Sequence, residues 1–168
     1  IGSTTAIFSV VYATLFESMP YPKPDQLMMV WTRYPDGRGS TSAGDYLEWK
    51  RRSQSFQYLE AWSGGSFNIS TAERAEQVDG VFYTPDFFRM TGYPMFMGRS
   101  FLPEEGEVGK ERVVILSHRL WLQRFGANRE IIGQQIRMNS EPYTVIGVAA
   151  PGLNDRFQAQ LWVPLAFR

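Results

Sequence analysis

The chain has 168 residues, of which 43% are hydrophobic and 15% aromatic, so it has enough apolar material for one packed domain or two small ones. Its 17 basic and 17 acidic residues balance to zero, which argues against nucleic acid as a partner, because phosphate binding needs clustered surplus Lys and Arg. The absence of Cys excludes thiol catalysis, Cys-based zinc sites and disulfides, and the single His argues against a His-based metal site.

The N-terminal run IGSTTAIFSVVYATLF carries no charge and predicts a helix from about Thr4 to Ser18. Pro20, Pro22 and Pro24 end it and form a stiff extended connector, PYPKPD. The run is shorter than the roughly 18–20 apolar residues that span a bilayer. Two interpretations of this run therefore remain: a buried amphipathic helix, or the end of a transmembrane helix.

The next segments mix strands and a helix. Leu27–Arg33 predicts a continuous apolar strand, and a glycine-rich loop follows it. Asp45–Arg52 predicts a helix with Tyr46 and Trp49 facing inward and Leu47 as a further inward candidate. Residues 56–69 predict strand structure broken at Gly64-Gly65.

The second half continues in mixed order. Thr84 is the expected cap of a short helix that begins at Pro85 and ends at Gly92, and residues 97–112 are an acidic loop. The helix from His118 to Phe125 is expected to end at Gly126. Strands are predicted at Glu76–Tyr83, Val113–Leu116, Gln134–Met138, Pro142–Ala149 (covered on both faces in part) and Leu161–Leu165. This order predicts an α+β fold.

Ser117-His118, at the end of the strand VVIL, raises the question of catalysis. A nucleophile elbow requires G-x-S-x-G, and the chain has I-L-S-H-R at this point. Adjacent helical residues do not face each other, so His118 is poorly placed as a base for Ser117. The pattern favours Ser117 as a helix N-cap with His118 in the first turn.

Two further features could carry chemistry. Glu104, Glu105 and Glu107 could supply a carboxylate pair, but three neighbours in one loop are more simply a solvated turn. The Trp residues could bind a sugar, although the area each must bury favours the core. Trp62, beside Ser63-Gly64-Gly65, is the best candidate for an exposed binding aromatic; the others are Trp31, Trp49, Trp121 and Trp162. These residues predict no enzyme, no cofactor and no metal site.

The ordered segments resemble the MacB-like periplasmic core domain of bacterial ABC-transporter permeases of the FtsX-like class. The nearest likeness is to a branch of orphan permeases that carry this domain twice. The matching segments, in order, are IGSTTAIFSVV, PYPKPDQLMMVW, DYLEWKRRSQSFQYLEAW, FYTPDFFRMTGYPMFMGRSFLPEE, RVVILSHRLWLQRFGANREIIGQQIRMNSEPYTVIGVAAPG and LWVPL.

The resemblance implies a two-lobe domain. Residues 1–19 would be the end of a transmembrane helix or stalk, 20–74 a first porter-like β-α-β half, and 75–168 an inserted mixed α/β lobe whose helix Ser117 caps. The C-terminal porter half is absent, so an exposed sheet edge is expected, and with it a dimer or another intermolecular contact. The chain also has Asn139-Ser140 where the family often has Asn-Gly, which predicts a longer turn or another turn type.

The resemblance also implies a function. The domain would lie in the periplasm, anchored in the bacterial inner membrane, and would couple transmembrane motion to substrate or partner handling without catalysis. Its partners would be the transmembrane part of the same permease, a separate cytoplasmic ATPase and a periplasmic protein or second copy. Pro20, Pro22 and Pro24 would form a coupling joint. The alternatives are a stand-alone carbohydrate- or peptide-binding module that uses Trp62, and, less favoured, a hydrolase that uses the acidic loop.

Overall fold

The computed structural model describes residues 26–35, 37–70, 75–152 and 158–167. The predicted N-terminal helix and the connector with Pro20, Pro22 and Pro24 lie outside the described residues. The strands are β1 (Thr32–Tyr34), β2 (Gly37–Gly39), β3 (Trp62–Ser70), β4 (Ala75–Tyr83), β5 (Met95–Gly98), β6 (Val113–Leu116), β7 (Gln135–Met138), β8 (Glu141–Ala149) and β9 (Leu161–Pro164). The helices are α1 (Ala43–Arg52), α2 (Phe87–Thr91) and α3 (His118–Phe125), with 3₁₀ turns at Pro103–Gly106 and Arg129–Ile131. The α+β class is therefore confirmed.

Seven strands form one mixed sheet in the order β5-β8-β6-β9-β4-β3-β7. Strand β7 pairs with β8 as well as with β3, so six strands form a closed sheet. Strand β5 lies outside this closed sheet and pairs with β8. Strands β4 and β9 are parallel, as are β6 and β8, whereas the other pairs are antiparallel. We call this closed sheet the barrel. Strands β1 and β2 form a separate hairpin.

Two apolar clusters lie on opposite faces of the barrel wall. One fills the interior and takes Leu120 and Trp121 from α3; its strand members are Phe67, Ile69, Val78, Val114, Leu116, Ile136, Met138, Val145, Val148, Leu161 and Val163. The other covers the opposite face beneath α2 and includes Val81, Tyr83, Phe87, Phe88, Ile115, Ile146 and Trp162. Residues 145–149 of β8 are buried without alternation, as predicted, because both faces of this strand are covered.

Several strand and helix predictions are confirmed with small shifts in their bounds. Strand β4 begins at Ala75, β6 spans VVIL, and β9 ends at Pro164. Helix α3 has the predicted bounds, and Gly126 ends it in the left-handed region with φ 57°. Gly92 ends α2 in the same way, with φ 67°.

The prediction of a strand over Leu27–Arg33 is wrong for most of its length. Only Thr32 and Arg33 belong to a strand, and residues 27–31 have no regular structure. The prediction that Gly64-Gly65 breaks a strand is also wrong, since both glycines lie within β3. Residues 56–61, expected to be strand, precede it.

Thr84 does not cap α2, contrary to prediction. The helix begins at Phe87 with Asp86 as its N-cap residue, and Asp86 makes no side-chain capping bond. The Thr84 hydroxyl instead donates to the Glu60 carboxylate (2.5 Å) and accepts from the Ala61 amide (2.9 Å). The Thr84 hydroxyl thus bonds Glu60, which is distant in sequence, and does not cap the helix as the local pattern predicted.

The turn between β7 and β8 is also shorter than predicted. Asn139 and Ser140 are its two central residues and have φ values of 50° and 70°, the double positive φ of a type I′ turn. Asn139 tolerates this conformation well, and its amide and side-chain oxygen bond the backbone of Asn68, both at 2.9 Å. These bonds to β3 stabilise a two-residue turn despite Ser140.

Strands β3 and β4 form an extended antiparallel pair. The two strands pair in register along their whole length, from Trp62 with Tyr83 to Ser70 with Ala75. Residues 62–70 and 75–83 are therefore neighbouring strands of one sheet.

Candidate functional site

Ser117 and His118 are structural residues at the start of α3. The Ser117 hydroxyl accepts a hydrogen bond from the Leu120 amide at 3.1 Å, which is the capping geometry that the sequence favoured. The His118 ring makes edge contacts with the rings of Phe96 (4.9 Å) and Trp121 (5.4 Å). The pair therefore has the contacts of a helix start, with the hydroxyl bonded to the backbone.

The acidic loop is not the solvated turn that was predicted. The side chain of Glu105 is 8% exposed and forms two bonds with the Arg99 guanidinium, at 2.6 and 3.0 Å. It also accepts from the Leu102 amide at 2.8 Å. The hydrogen bond with Glu105 raises the pKa of Arg99 despite the opposing effect of burial. Glu105 thus anchors the loop, while Glu104 and Glu107 are exposed.

The tryptophans divide between core and surface. Trp121 and Trp162 are buried, as expected, and Trp49 is half-buried. Trp62 is 37% exposed, which agrees with its choice as an exposed aromatic. Trp31 is 42% exposed, so its assignment to the core is wrong.

A continuous run of apolar side chains is exposed in residues 28–31. Met28 is 71% exposed and Val30 45%, and Met29 and Trp31 are also exposed. We call this the 28–31 segment. Large exposed apolar patches of this kind mark sites of contact with another surface, because leaving them in water is unfavourable.

Two shallow grooves flank the 28–31 segment. The first has a volume of about 340 Å³ and is mostly apolar; it is lined by Val30, Trp49, Arg52, Ser53, Phe56 and Leu59. The second, of about 550 Å³, is lined by Met29, Trp31, Arg33 and Gly37. We call the first the α1 groove. Each groove has an arginine in its lining, Arg33 in the second groove and Arg52 in the α1 groove.

Helix α1, which forms one wall of the α1 groove, has a well-defined start. Ser42 is its N-cap, and the hydroxyl accepts from the Asp45 amide at 3.1 Å. Tyr46 is buried as predicted, but Leu47 is 47% exposed, so the prediction that it faces inward is wrong. Arg51 and Arg52 both pair with the exposed carboxylate of Glu48.

A buried carboxylate at the foot of α1 was missed by the sequence analysis. The Glu60 side chain is 1% exposed and binds the Lys50 ammonium at 2.8 Å and the Thr84 hydroxyl at 2.5 Å. Burial disfavours the charge of Lys50, but the hydrogen bonds with Glu60 and Tyr46 outweigh this, so the pKa of Lys50 is raised. Burial also raises the pKa of Tyr46. A lone acid within the apolar stretch FQYLEAW was the only signal of this site.

The described residues contain no group of three or more acidic or His side chains that could hold a metal ion. In the same part of the chain, no helix has the length and apolarity to cross a membrane.

Two solved structures have a fold similar to that of this chain. Its fold is similar to the extracellular domain of the noncanonic ABC-type transporter YknZ from Gram-positive bacteria, with a TM-score of 0.63 and 17% identity, over 80% of this chain and 70% of that one. It is also similar to the periplasmic region of MacB from Actinobacillus actinomycetemcomitans, with a TM-score of 0.59 and 16% identity. That match covers 80% of this chain and 56% of the MacB region.

No curated protein sequence matches the chain. The family model of the MacB-like periplasmic core domain matches residues 1–168. The chain therefore belongs to the family of MacB-like periplasmic core domains.

Proposed function

We propose that this chain is the extracytoplasmic domain of an ABC-type permease, and that it couples transmembrane conformational change to the handling of a periplasmic substrate or partner. The observation that carries the proposal is the family match over all 168 residues. The fold likeness to the YknZ and MacB domains supports it. On this proposal the domain lies in the periplasm beside the inner membrane, and its mechanism is mechanical, without a catalytic step.

Two partners are part of the same proposal. The transmembrane part of the permease anchors the domain, and a separate cytoplasmic ATPase drives the motion. The exposed 28–31 segment and the α1 groove supply the contact for a protein partner, which is a second copy or a periplasmic protein.

Sedimentation of the purified chain over a range of concentrations tests whether a second copy of the chain binds at this surface. A dimer whose affinity falls in a variant with Met28→Ser and Trp31→Ser supports a self-contact at this surface. A profile that stays monomeric at high concentration removes the second copy from the proposal and leaves the periplasmic protein.

The coupling role is assigned to Pro20, Pro22 and Pro24. Each proline fixes φ near −65°, so a run of them limits slack between the membrane and the domain. Replacing all three with Gly in the full permease should uncouple transport from ATP hydrolysis. Pro151→Gly, at an exposed position within the domain, is the matched control and should leave transport unchanged. Unchanged transport in the triple variant would contradict the coupling role.

The alternative function is a stand-alone carbohydrate- or peptide-binding module. It is favoured by the exposure of Trp62 at the start of β3, next to Gly64, above which there is open space. A rise in melting temperature with glycans that is lost in Trp62→Ala, but kept in Trp31→Ala, would support the binding module. A hydrolase that uses the acidic loop is disfavoured because Glu105 is engaged with Arg99. Activity that is lost in Glu104→Gln or Glu105→Gln would revive it.

A further inference from the structure

The unit that begins with α1 and ends at Ala61 is joined to the barrel by few contacts. We call residues 43–61 the α1 unit. Its most buried apolar side chain, Tyr46, belongs to neither apolar cluster of the barrel, but its ring lies 5.2 Å from the ring of Phe167. Within the described residues, the α1 unit therefore shares no core with the barrel.

Among the described residues, Glu60 and Ala61 bond the α1 unit to Thr84 of the barrel, and two further bonds inside the unit, from Lys50 and Tyr46, hold the 59–61 segment against the helix. Thr84, which follows β4, donates to Glu60 and also exchanges backbone and side-chain bonds with Ala61. Lys50, two turns along α1 from the N-cap, binds the other oxygen of Glu60. Tyr46 donates to the carbonyl of Leu59 at 3.2 Å. One carboxylate thus bonds both the helix and the barrel.

The charge balance at Glu60 depends on Lys50. With Lys50 in place, the buried carboxylate is paired on both oxygens. Without Lys50, whose own side chain is 42% exposed, Glu60 keeps an unpaired charge where its side chain is 1% exposed, and an unpaired charge at a buried position is unfavourable. The carboxylate then favours a position in water, and moving it there breaks its bond with the Thr84 hydroxyl.

We propose that Lys50, Glu60 and Thr84 form a latch that holds the α1 unit against the barrel, and that release of the latch lets this unit open while the barrel stays folded. The α1 groove takes lining residues from the helix (Trp49, Arg52) and from the segment before the latch (Phe56, Leu59). Val30 is the one described lining residue outside the α1 unit, so opening moves the groove together with the unit. This inference does not depend on transport and goes beyond the function proposed above.

Native-state hydrogen exchange on the 168-residue chain tests the latch. In Lys50→Met, amides of residues 43–61 should exchange at least about tenfold faster, whereas amides of β6 and β9 should keep their wild-type rates. Arg51→Met is the matched control, because Arg51 pairs with an exposed carboxylate on the same helix. It should leave both regions near wild type.

A double variant, Lys50→Met with Glu60→Met, removes both charges and should restore most of the protection of the α1 unit. If β6 and β9 accelerate by the same factor as α1 in Lys50→Met, the chain is one cooperative unit and there is no latch. Unchanged exchange in α1 would equally overturn the proposal. Should Lys50→Met fail to fold, Thr84→Val removes the hydroxyl at the other side of Glu60 and is read by the same criteria.

Discussion

Two glycines of the β3–β4 hairpin should respond in opposite ways to the same added methyl group. Gly80 lies in β4 and is buried in the barrel wall. A Cβ at this position would lie 2.6 Å from Leu161 Cδ1 and 2.7 Å from Phe67 Cε2. Both side chains belong to the interior cluster and are almost fully buried, so neither can move into solvent. Gly64, in β3, has no atom within 4 Å of the same added carbon.

The expected magnitudes follow from these distances. Gly80→Ala overpacks the core and should lower the free energy of unfolding by about 1–3 kcal/mol. Gly64→Ala adds no clash and reduces the conformational freedom of the unfolded chain, so it should raise that free energy by up to about 1 kcal/mol. For a small protein, a loss of about 2 kcal/mol shifts the urea midpoint down by about 1 M.

Urea unfolding followed by tryptophan fluorescence measures both effects, provided that the slope of each transition is unchanged. A Gly80→Ala midpoint equal to that of the wild type would mean that the barrel interior has room that the structure does not show. A Gly64→Ala midpoint as low as that of Gly80→Ala would mean that strand glycines matter here for backbone conformation, and the packing argument would fail.

Two further predictions concern the helix cap and the alkaline limit of stability. Ser117→Ala should lower the free energy of unfolding, measured in urea, by about 1 kcal/mol, because the Leu120 amide loses its acceptor. Ser117→Asp should retain most of the stability of the wild type, because Asp is also a preferred N-cap residue. An Ala variant of unchanged stability would contradict the capping role. Lys50 and Tyr46 both have raised pKa values in the folded chain, so their stabilisation is complete below about pH 10 and is lost as the pH rises through the raised values. The urea midpoint should therefore fall above about pH 10, and a midpoint that stays constant from about pH 9 to about pH 11 would contradict this reasoning.

The elements that could be predicted from sequence are those whose local signals agree with their final surroundings. Helix α3 has Ser117 before it and Gly126 after it, and both residues act as the pattern indicates. The unbroken apolar run in β8 predicted burial on both faces, and the barrel supplies it. In these segments, tertiary contacts reinforce a local preference.

The sequence predictions are wrong where a residue that is distant in sequence determines the local structure. Thr84 has the right residue type and position for a cap, but Glu60 takes its hydroxyl. Asn139 makes a two-residue turn favourable through its bonds to Asn68, which is far away in sequence. No local pattern carries this information.

The candidate site was partly predictable. Trp62 was the best candidate for an exposed aromatic although the core was favoured for every Trp, and its side chain is 37% exposed. The 28–31 segment was expected to lie in a strand. A run of apolar residues gives the same sequence pattern whether or not other side chains pack over it in the fold, so the pattern could not show that this run is exposed. Glu105 was taken for solvent-exposed because the 3₁₀ turn that contains it, and that brings it against Arg99, is not evident in the sequence.

Accessibility labelling in intact cells tests the proposed periplasmic position most directly. The 168 residues contain no Cys, so a single Gln123→Cys on the exposed surface of α3 gives one site in this domain. The full protein would be expressed from its native reading frame, with any cysteine elsewhere replaced by Ser. We predict that a membrane-impermeant maleimide labels Gln123→Cys in intact cells and that the labelled protein sediments with the inner membrane. Met138→Cys, at a fully buried position, should be labelled only after denaturation. If Gln123→Cys is labelled only after the inner membrane is broken, the domain does not face the periplasm and the proposed function is wrong.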